Sequence, residues 1–547
     1  MITNRFKTEF AERVFRLKYA QGTSDSWDAL SERLVDDVCG SRGGTTAALM
    51  SASDRADLTN IIKTMKFLPG GRYLYYAGRP LHFWNNCFCL RAEEDTREEW
   101  GSLLKRASDA LMSGGGIGVD YSRLRPRGRP LVRTGGIASG PLPLMQSINE
   151  VGRNVMQGGS RRSAMYASLN WQHEDIGEFL RAKDWPSVIR DLKEQDFNYP
   201  APLDMTNISI NWDTAFIEGT KSGLDLQLWN DSIRRMCKTG EPGHAYNFYE
   251  NENDTLRNAC TEFTSEDDSD VCNLGSVNLA NITSLSELQS VVSLAAKFLV
   301  CGTLRGDLPY DKVRQVREQN RKIGLGIMGV HEWLLQRGYK YEVVPELKQW
   351  LEVYRDESKR SADEHCDRFY INRPKKYRAI APTGTIGILS STSTGCEPLY
   401  AVAYKRRYLE GGTRWKYQYV VEATAQRLIE EYSINPEDIE TSISLTSDPE
   451  RRVRFQADIQ DYVDMAVSST LNVGAFGSKY NNESTLGMYS DLLLKYAPRL
   501  RGITIYPDGA RGGQPLTAVP YADAINHKGM VFDETEENRC AGGICGL

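Results

Sequence analysis

The chain has 547 residues, of which 40% are hydrophobic and 25% charged, as in an ordinary soluble globular protein. Its formal net charge of -5 gives no electrostatic case for binding a nucleic-acid backbone. Because no run of about 18 apolar residues is present, no membrane span is expected. The N-terminus lacks an apolar signal-peptide core, so a cytoplasmic location is expected.

The eleven cysteines favour thiol or redox chemistry over a structural role. An odd number of cysteines in a chain without a signal peptide argues against a secreted disulfide framework. No CxxC pair occurs and only six histidines are present, so no metal site is expected.

The N-terminal region predicts a helical cap. Phe10, Val14 and Leu17 recur at helical spacing, so the chain is expected to open with an amphipathic helix, and residues 1–65 to form a helical region. A second helix is expected around residues 103–111. The alternation of helical segments with short apolar runs along the rest of the chain favours an α/β barrel or sheet.

An apolar, aromatic stretch at residues 81–90 predicts a buried strand. On that strand Cys87 and Cys89 point to the same face, where a disulfide between them would be strained. Each is therefore expected to pair elsewhere or to stay free. The glycines of segment 113–118 permit positive φ and the close approach of another backbone or a ligand.

A glycine-rich basic segment follows at residues 157–164. Its flexible glycines and paired guanidinium groups suit a mobile loop that contacts nucleotide phosphates or bases. A solvated basic turn is an equally good interpretation of these residues alone. The residues concerned are Gly158, Gly159, Ser160, Arg161 and Arg162.

The most informative stretch is Arg257–Glu262, which places a thiol between an amide and a carboxylate. In an extended or looped backbone, Asn258, Cys260 and Glu262 point the same way. Cys260 is then the candidate reactive atom, Glu262 the proton acceptor and Asn258 the orienting hydrogen bonder. Taken alone, these six residues favour a surface loop that carries a stray buried thiol, and only the rest of the chain can overturn that interpretation.

Two further features lie in the C-terminal half. Threonine hydroxyls and backbone N–H groups beside glycine make an anion nest of residues Pro382, Thr383, Gly384, Thr385 and Ile386. At the end of the chain, Cys540 and Cys545 are separated by small residues, which suits a swinging dithiol whose disulfide stays open to exchange.

Together these stretches resemble the catalytic subunit of ribonucleotide reductase, from about residue 65 to 515. The thiyl-radical loop of that family reads Asn-x-Cys-x-Glu, as at 258–262. Its redox pair lies in an Asn-Cys-Phe strand and a Cys-Asn-Leu-Gly-Ser strand, which Cys87 and Cys272 match. Its phosphate loop and effector-coupling loop resemble segments 382–386 and 158–164.

The resemblance implies the fold and the chemistry. The implied fold is a ten-stranded α/β barrel over residues 66–520, with Cys260 on a central finger loop. A Cys260 radical would remove the ribose 3′-hydrogen and Glu262 would take the 3′-hydroxyl proton. Cys87 and Cys272 would supply two electrons and become a disulfide. The remaining implied site residues are Asn86 and Ser139 for substrate, and Cys540 and Cys545, on a flexible tail of residues 521–547, for re-reduction.

The radical source is inferred from residues 502–511. This segment has Ile505 before a single tyrosine, Tyr506, and looks like the adenosylcobalamin-dependent type. The type that uses an iron or manganese partner subunit carries two adjacent tyrosines there, and it is the alternative. Family members usually carry an arginine where Pro507 stands. A third, less favoured interpretation is a nucleotide-binding regulatory homologue without the chemistry.

The resemblance also implies partners. These are a ribonucleoside di- or triphosphate, a nucleotide effector, and a thioredoxin- or glutaredoxin-like reductant, acting on a monomer or homodimer. The family's N-terminal ATP cone is not expected, because no room for it precedes the helix at Phe10.

Overall fold

The structure is a computed structural model, and it describes residues 5–41, 47–85, 87–132, 134–157, 161–196, 199–410, 414–510 and 516–533. Helices and strands alternate along most of this length. The helices of the described residues are α1 (Glu9–Lys18), α2 (Trp27–Cys39), α3 (Ala52–Lys63), α4 (Gly71–Tyr76), α5 (Arg97–Met112), α6 (Leu142–Asn154), α7 (Ile176–Arg181), α8 (Ser187–Gln195), α9 (Thr214–Lys221), α10 (Gln227–Thr239), α11 (Leu285–Arg305), α12 (Asp311–Asn320), α13 (Val330–Gln336), α14 (Pro345–Arg368), α15 (Gly384–Ser390), α16 (Ala423–Tyr432), α17 (Pro449–Gln460), α18 (Leu486–Tyr496) and α19 (Tyr521–Asn526).

The strands of the same residues are β1 (Phe67–Pro69), β2 (Cys87–Arg91), β3 (Gly116–Asp120), β4 (Met156–Gln157), β5 (Arg161–Arg162), β6 (Met165–Asn170), β7 (Thr206–Asp213), β8 (Gly243–Asn247), β9 (Leu256–Arg257), β10 (Thr264–Ser265), β11 (Asp270–Val271), β12 (Leu274–Asn278), β13 (Gly324–Met328), β14 (Ala403–Glu410), β15 (Arg414–Val421), β16 (Thr470–Val473), β17 (Gly502–Pro507), β18 (Leu516–Ala518) and β19 (Val531–Asp533).

The largest sheet has eight strands in the order β11-β2-β3-β6-β7-β8-β17-β16. Five consecutive members, from β2 to β8, run parallel, and helices connect each to the next. β11 pairs antiparallel with β2, whereas β17 pairs antiparallel with β8 and parallel with β16. β2 and β3 are buried almost throughout, which accounts for their largely apolar sequences. The α/β class predicted from the sequence is confirmed.

A second sheet contains β1, β12 and β13, with β12 parallel to β13. Two single parallel bridges extend beyond it, from Leu325 to Arg378 and from Ile380 to Val467. Val467 lies just before β16 along the chain, and β16 belongs to the large sheet. The strands of the two sheets are therefore linked through residues 378–380 and 467.

Helices α1–α3 form the N-terminal region and share one apolar core with α11 and α14. Within it the indole N–H of Trp27 donates to the Ile62 carbonyl at 3.1 Å. The prediction for α1 was wrong in one respect, because Leu17 is 74% exposed. The buried face is formed by Ala11, Val14 and Phe15. Phe15 faces the apolar core, and Leu17 lies on the opposite side of the helix.

Among the described residues, one helix, α11, is long and apolar enough to cross a membrane. Two-thirds of its most apolar window (67%) is buried inside the protein. It begins at the N-cap Ser284, whose hydroxyl accepts from the Glu287 N–H at 3.2 Å. Burial of this extent is typical of a core helix in a globular protein.

The last described residues fold against a long hairpin. β14 and β15 pair antiparallel, and β18 and β19 add to their outer edges to give the order β18-β14-β15-β19. The sequence predicted that the barrel ends and a flexible tail begins at residue 520, but regular secondary structure continues beyond that residue. Residues 521–533 contribute α19 and β19, because β19 completes the backbone hydrogen bonding of β15.

Candidate active site

A short hairpin presents the central motif. β9 and β10 pair antiparallel, with Arg257 opposite Thr264, so residues 258–263 form the connecting turn. The turn is closed by the Thr261 N–H, which donates to the Asn258 carbonyl at 3.0 Å. Thr261 has a φ of 70°, a value that a non-glycine residue adopts only where its surroundings hold it. The turn thereby brings the side chains at its two ends together.

Arg257 fixes the base of this hairpin. Its guanidinium is buried and donates to Asn247 Oδ1 at 2.6 Å, the Tyr246 carbonyl at 3.3 Å and the Arg501 carbonyl at 3.2 Å. Gly118 of β3 lies directly against the backbone of Arg257. A Cβ at this glycine would be 1.9 Å from the Arg257 carbonyl oxygen. The close approach of two backbones predicted for the 113–118 glycines is therefore present at Gly118.

A second, charged anchor lies beside the first. Buried Asp254 accepts from Arg501 Nη2 at 2.7 Å, from Lys376 Nζ at 2.5 Å and from the Thr264 hydroxyl at 2.5 Å. Burial alone would raise the pKa of Asp254, but the charges of Arg501 and Lys376 hold it well below its usual range. This carboxylate stays ionised and ties the hairpin to the segments carrying both cations.

Asn258 and Glu262 are bonded to each other at the hairpin tip. Asn258 Nδ2 donates to Glu262 Oε1 at 2.8 Å, and Asn258 Oδ1 accepts from the Phe263 N–H at 3.1 Å. Within the described part of the chain, the buried Glu262 Oε2 has no hydrogen-bond partner. Burial, together with charge on Cys87, raises the pKa of Glu262 to about 8. The tip thus holds a carboxyl group with one free oxygen that can accept from a hydroxyl.

Three thiols meet at the same place. The thiols of Cys260 and Cys272 both hydrogen bond to the Cys87 sulfur, and these bonds lower the pKa of Cys87 well below its ordinary value. The Cys87 N–H donates to Cys272 Sγ at 2.9 Å, and the Cys272 N–H donates to the Cys87 carbonyl at 3.0 Å. In the described structure none of the three forms a disulfide; Cys87 and Cys272 are buried, and Cys260 is partly exposed. Gly116 leaves room for them, since a Cβ there would lie 3.1 Å from Cys87 Sγ.

Two other cysteines near these motifs are buried among apolar groups. Cys89 lies in the same core cluster as Cys87, with its sulfur 4.0 Å from the Phe263 carbonyl oxygen. Burial raises the pKa of Cys89 well above its ordinary value and that of Cys396 to about 12. In these surroundings both act as small hydrophobic residues.

The predicted anion nest lies at the start of α15. Thr383 has a φ of 52°, and its hydroxyl accepts from the Gly395 N–H at 2.7 Å. Pro382 and Gly384 are exposed, Thr385 is partly buried and Ile386 is buried. No heavy atom of the described structure lies within 4 Å of a Cβ built on Gly384, so the space in front of the turn is open.

The remaining predicted site residues lie in other segments of the chain. Ser139 is exposed and precedes α6. Arg161 and Arg162 form β5, which pairs with β4 in a small hairpin. Six predicted residues lie outside the described residues, namely Asn86, Gly158, Gly159, Ser160, Cys540 and Cys545.

Sequence reasoning missed the anchors of the hairpin. The sequence motif begins at Arg257, but its spacing predicted no role for that residue, and no pattern pointed to Asp254. A charged pair flanking a buried catalytic motif is a usable signal, because buried charges are retained where they are paired. The partner Arg501 is distant in sequence, so no local pattern indicated it.

The fold and the site define an α/β protein in which three thiols and a buried carboxyl group meet at the tip of an internal hairpin. The chain matches the profile described as ribonucleotide reductase, barrel domain, over residues 85–199, 220–348 and 373–506. It therefore belongs to the ribonucleotide reductase family, as the sequence resemblance predicted.

Several relatives are similar over most of the chain. The vitamin B12-dependent ribonucleoside-diphosphate reductase of Mycobacterium tuberculosis (strain CDC 1551 / Oshkosh) is 25% identical, over 89% of this chain and 76% of the relative. The vitamin B12-dependent ribonucleoside-diphosphate reductase of Thermoplasma acidophilum is 26% identical, over 89% of this chain and 71% of the relative. A putative adenosylcobalamin-dependent ribonucleoside-triphosphate reductase of Mycobacterium phage D29 is 27% identical, over 84% of this chain and 76% of the relative.

A solved structure shares the fold. The crystal structure of a B-12 dependent (class II) ribonucleotide reductase superposes with a TM-score of 0.68. The match covers 95% of this chain and 96% of that one at 16% sequence identity, so it supports the common fold.

Proposed function

We propose that this chain is an adenosylcobalamin-dependent ribonucleotide reductase that converts ribonucleoside di- or triphosphates to 2′-deoxyribonucleotides. The observation that carries the proposal is the cluster of Cys260, Cys87 and Cys272 beside the unpartnered Glu262 Oε2. Replacement of a 2′-hydroxyl by hydrogen needs one thiol to activate the sugar, two thiols to supply electrons, and a proton acceptor. All four groups lie at one hairpin tip.

The residues fit the cofactor in two respects. Cobalamin brings its own nitrogen ligands to cobalt, so the protein needs no set of metal-binding side chains. Cys260 is the partly exposed thiol of the three, so a large group can approach it while Cys87 and Cys272 stay buried. Family members usually carry an arginine where Pro507, the last residue of β17, stands, so this chain differs from the family at that position. When bound, adenosylcobalamin supplies the radical that Cys260 requires.

The chain's own residues would then act in sequence. Cys260 takes the 3′-hydrogen atom and returns it at the end of the cycle. Glu262 Oε2 accepts the 3′-hydroxyl proton, and Asn258 positions this carboxyl group through its bond to Oε1. The 2′-hydroxyl leaves as water. Cys87 and Cys272 lose two electrons and two protons and form a disulfide, which balances the reduction of the sugar.

The hairpin tip would be the finger loop of a closed ten-stranded barrel. Support comes from the pairing, since β2 is antiparallel to β11 at one side and β8 is antiparallel to β17 at the other. The bridges at 325–378 and 380–467 join the remaining segments in parallel. Counting segments 378–380 and 466–473 as strands gives two five-membered parallel halves.

Substrate phosphates would bind at residues 382–386. The hydroxyl of Thr385 and the open space at Gly384 support an anion there. Asn86 and Ser139 would contact the substrate as well. Residues 158–162 would couple a nucleotide effector to substrate choice, for which the β4–β5 hairpin provides the scaffold.

The buried disulfide would be reduced by the chain's own tail. Cys540 and Cys545 would exchange with Cys87 and Cys272 and then with a thioredoxin- or glutaredoxin-like protein. The tail follows β19, which ends at Asp533. A cytoplasmic monomer or homodimer is proposed, since that compartment keeps such a reductant available.

The test is reduction of CDP and CTP by the purified chain with dithiothreitol, with and without adenosylcobalamin. Deoxynucleotide formed only with the cofactor supports the proposal, and the preferred substrate gives its phosphate level. Cys260→Ser should abolish product, whereas Cys237→Ser, at a buried cysteine of a separate core cluster, should retain most activity. Product that requires an iron or manganese protein instead of cobalamin would refute the assigned radical source.

A further inference from the structure

A second group of thiols lies in the apolar core where α2 of the N-terminal region packs with α11 and α14. Cys39 is the last residue of α2, Cys301 lies in α11, and His365 and Cys366 lie near the end of α14. Cys39 and Cys301 are fully buried, and His365 is 4% exposed. Neither the proposed nucleotide reduction nor the family profile assigns these residues a role.

The contacts within this group are specific. The Cys39 thiol hydrogen bonds to the Cys301 sulfur, and Cys301 Sγ lies 3.3 Å from His365 Nε2. One sulfur therefore touches both a second thiol and an imidazole that can accept a proton. This is the arrangement of an activated thiol beside a resolving thiol, with the base on a third element.

The charge state of the group favours reaction at Cys301. Burial acts to raise the pKa of Cys301, but the hydrogen bonds from Cys39 and His365 lower it to about 6. Burial raises the pKa of Cys39 well above its ordinary value, and its bond to Cys301 adds to this. The attacking thiolate is thus Cys301, and Cys39 remains a thiol until a partner sulfur is oxidised.

We propose that Cys39 and Cys301 form a redox-active pair that peroxide oxidises to a disulfide, joining α2 of the cap to the core helix α11. The site is independent of nucleotide reduction. His365 is the proton acceptor for Cys301, and hydrogen peroxide or a small organic peroxide is the oxidant class. Access to the buried pair comes from Cys39 being the terminal residue of its helix, since helix ends open more readily than helix centres.

The steps balance as follows. His365 takes the Cys301 proton, and the thiolate attacks one peroxide oxygen, which breaks the O–O bond and forms a sulfenic acid. The departing hydroxide takes the proton from His365 and leaves as water. The Cys39 sulfur then attacks the Cys301 sulfur, forms the S–S bond and expels hydroxide, which leaves as water with the Cys39 proton. Two thiols lose two electrons and two protons, and one peroxide becomes two waters.

The disulfide would restrain the cap. The disulfide would close a loop of about 260 residues. Because a longer loop removes more entropy from the unfolded chain, the folded state should gain a stabilisation near the upper end of the range for a single disulfide. Because the cap shares one core with α11, the cross-link would connect elements already packed together. Oxidation is therefore expected to raise the thermal unfolding midpoint by about 5 °C.

The experiment uses the full chain with Cys87→Ser and Cys272→Ser, which removes the active-site pair as a competing disulfide. The reduced, desalted protein is treated with stoichiometric hydrogen peroxide, alkylated in denaturant and digested without reduction. A cross-linked peptide joining Cys39 to Cys301 is expected, together with the rise in unfolding midpoint. Titration of total thiols in denaturant establishes that the oxidant acted.

Two further variants separate chemistry from structure. Adding Cys39→Ser should eliminate the cross-link and leave Cys301 as a sulfenic acid that dimedone traps. His365→Gln should slow cross-linking at least tenfold at pH 7, and raising the pH to 9 should restore the rate because Cys301 then ionises without the base. Cys237→Ser is the matched control and should change neither result.

The proposal is overturned if Cys39 and Cys301 are both recovered as alkylated free thiols after other thiols in the same sample have been consumed. A cross-link from Cys301 to Cys366 instead of Cys39 would also overturn the assigned pair. An unchanged oxidation rate in His365→Gln would overturn the role of the imidazole. The disulfide mapping on the chain with only Cys87→Ser and Cys272→Ser decides the pairing even if the added Cys39→Ser or His365→Gln variant fails to fold.

Discussion

The raised pKa of Glu262 leads to a quantitative prediction about the pH dependence of the reaction. With a pKa of about 8 in place of 4.5, the carboxyl group is only roughly one-tenth ionised at pH 7. Since Glu262 must be ionised to accept the 3′-hydroxyl proton, kcat/KM is expected to rise roughly tenfold between pH 6 and pH 7. Its midpoint should lie near pH 8.

The energy involved follows from the same values. A rise in pKa from 4.5 to about 8 corresponds to about 5 kcal/mol in favour of the neutral form. Because the folded-state pKa is the higher one, this group favours the folded protein fully below pH 4.5, and the contribution is lost as pH rises to about 8. Glu262→Gln has no ionisable group at this site and should not lose this stability. The free energy of unfolding of the variant should therefore rise relative to that of the wild type between pH 4.5 and about pH 8.

The assay must exclude ionisation of the external reductant. We suggest measuring deoxynucleotide formed in the first turnover of pre-reduced protein with adenosylcobalamin, quenched at each pH. Glu262→Gln should reduce the product by at least about 100-fold at every pH. The matched control is Glu422→Gln, because burial also raises the pKa of Glu422, to about 7, at the N-cap of α16. A midpoint near pH 4.5, or the same loss in Glu422→Gln, would refute the assignment of Glu262 as proton acceptor.

Two further predictions concern the anchors of the hairpin. Gly118→Ala should cost at least about 100-fold in activity, because its Cβ would lie 1.9 Å from the Arg257 carbonyl oxygen and the tip would have to move by about 1 Å or more. Gly101→Ala, where a Cβ meets nothing within 4 Å, is the control, and similar activity in both variants would contradict the close approach. Asp254→Asn should lower the free energy of unfolding by about 3–5 kcal/mol, since it leaves buried Arg501 without its carboxylate. Because the pKa of Asp254 is depressed, the wild-type advantage should be present above pH 3.8 and decline below it. Denaturant unfolding at pH 7 and pH 3 measures this, and a deficit of the same size at both pH values would contradict the assignment.

The sequence alone determined the parts of this protein whose chemistry is local. Asn258, Cys260 and Glu262 lie within five residues, so their spacing already indicated one site, and their hydrogen bonding at the hairpin tip follows from it. The cap at Ser284 and the helix-strand alternation were likewise predictable, because hydrogen bonds and periodicity over a few residues decide them.

Tertiary structure decided what depends on contacts distant in sequence. Cys87 and Cys272 meet only because β2 and β11 pair, and family resemblance rather than residue pattern suggested the pair. The function of the 113–118 glycines was open until Gly118 was seen against the Arg257 carbonyl. The pairing of Asp254 with Arg501, and of Cys39 with Cys301, could not be predicted at all. Each joins elements more than 200 residues apart, and only the packing of the whole chain brings such groups within hydrogen-bond distance.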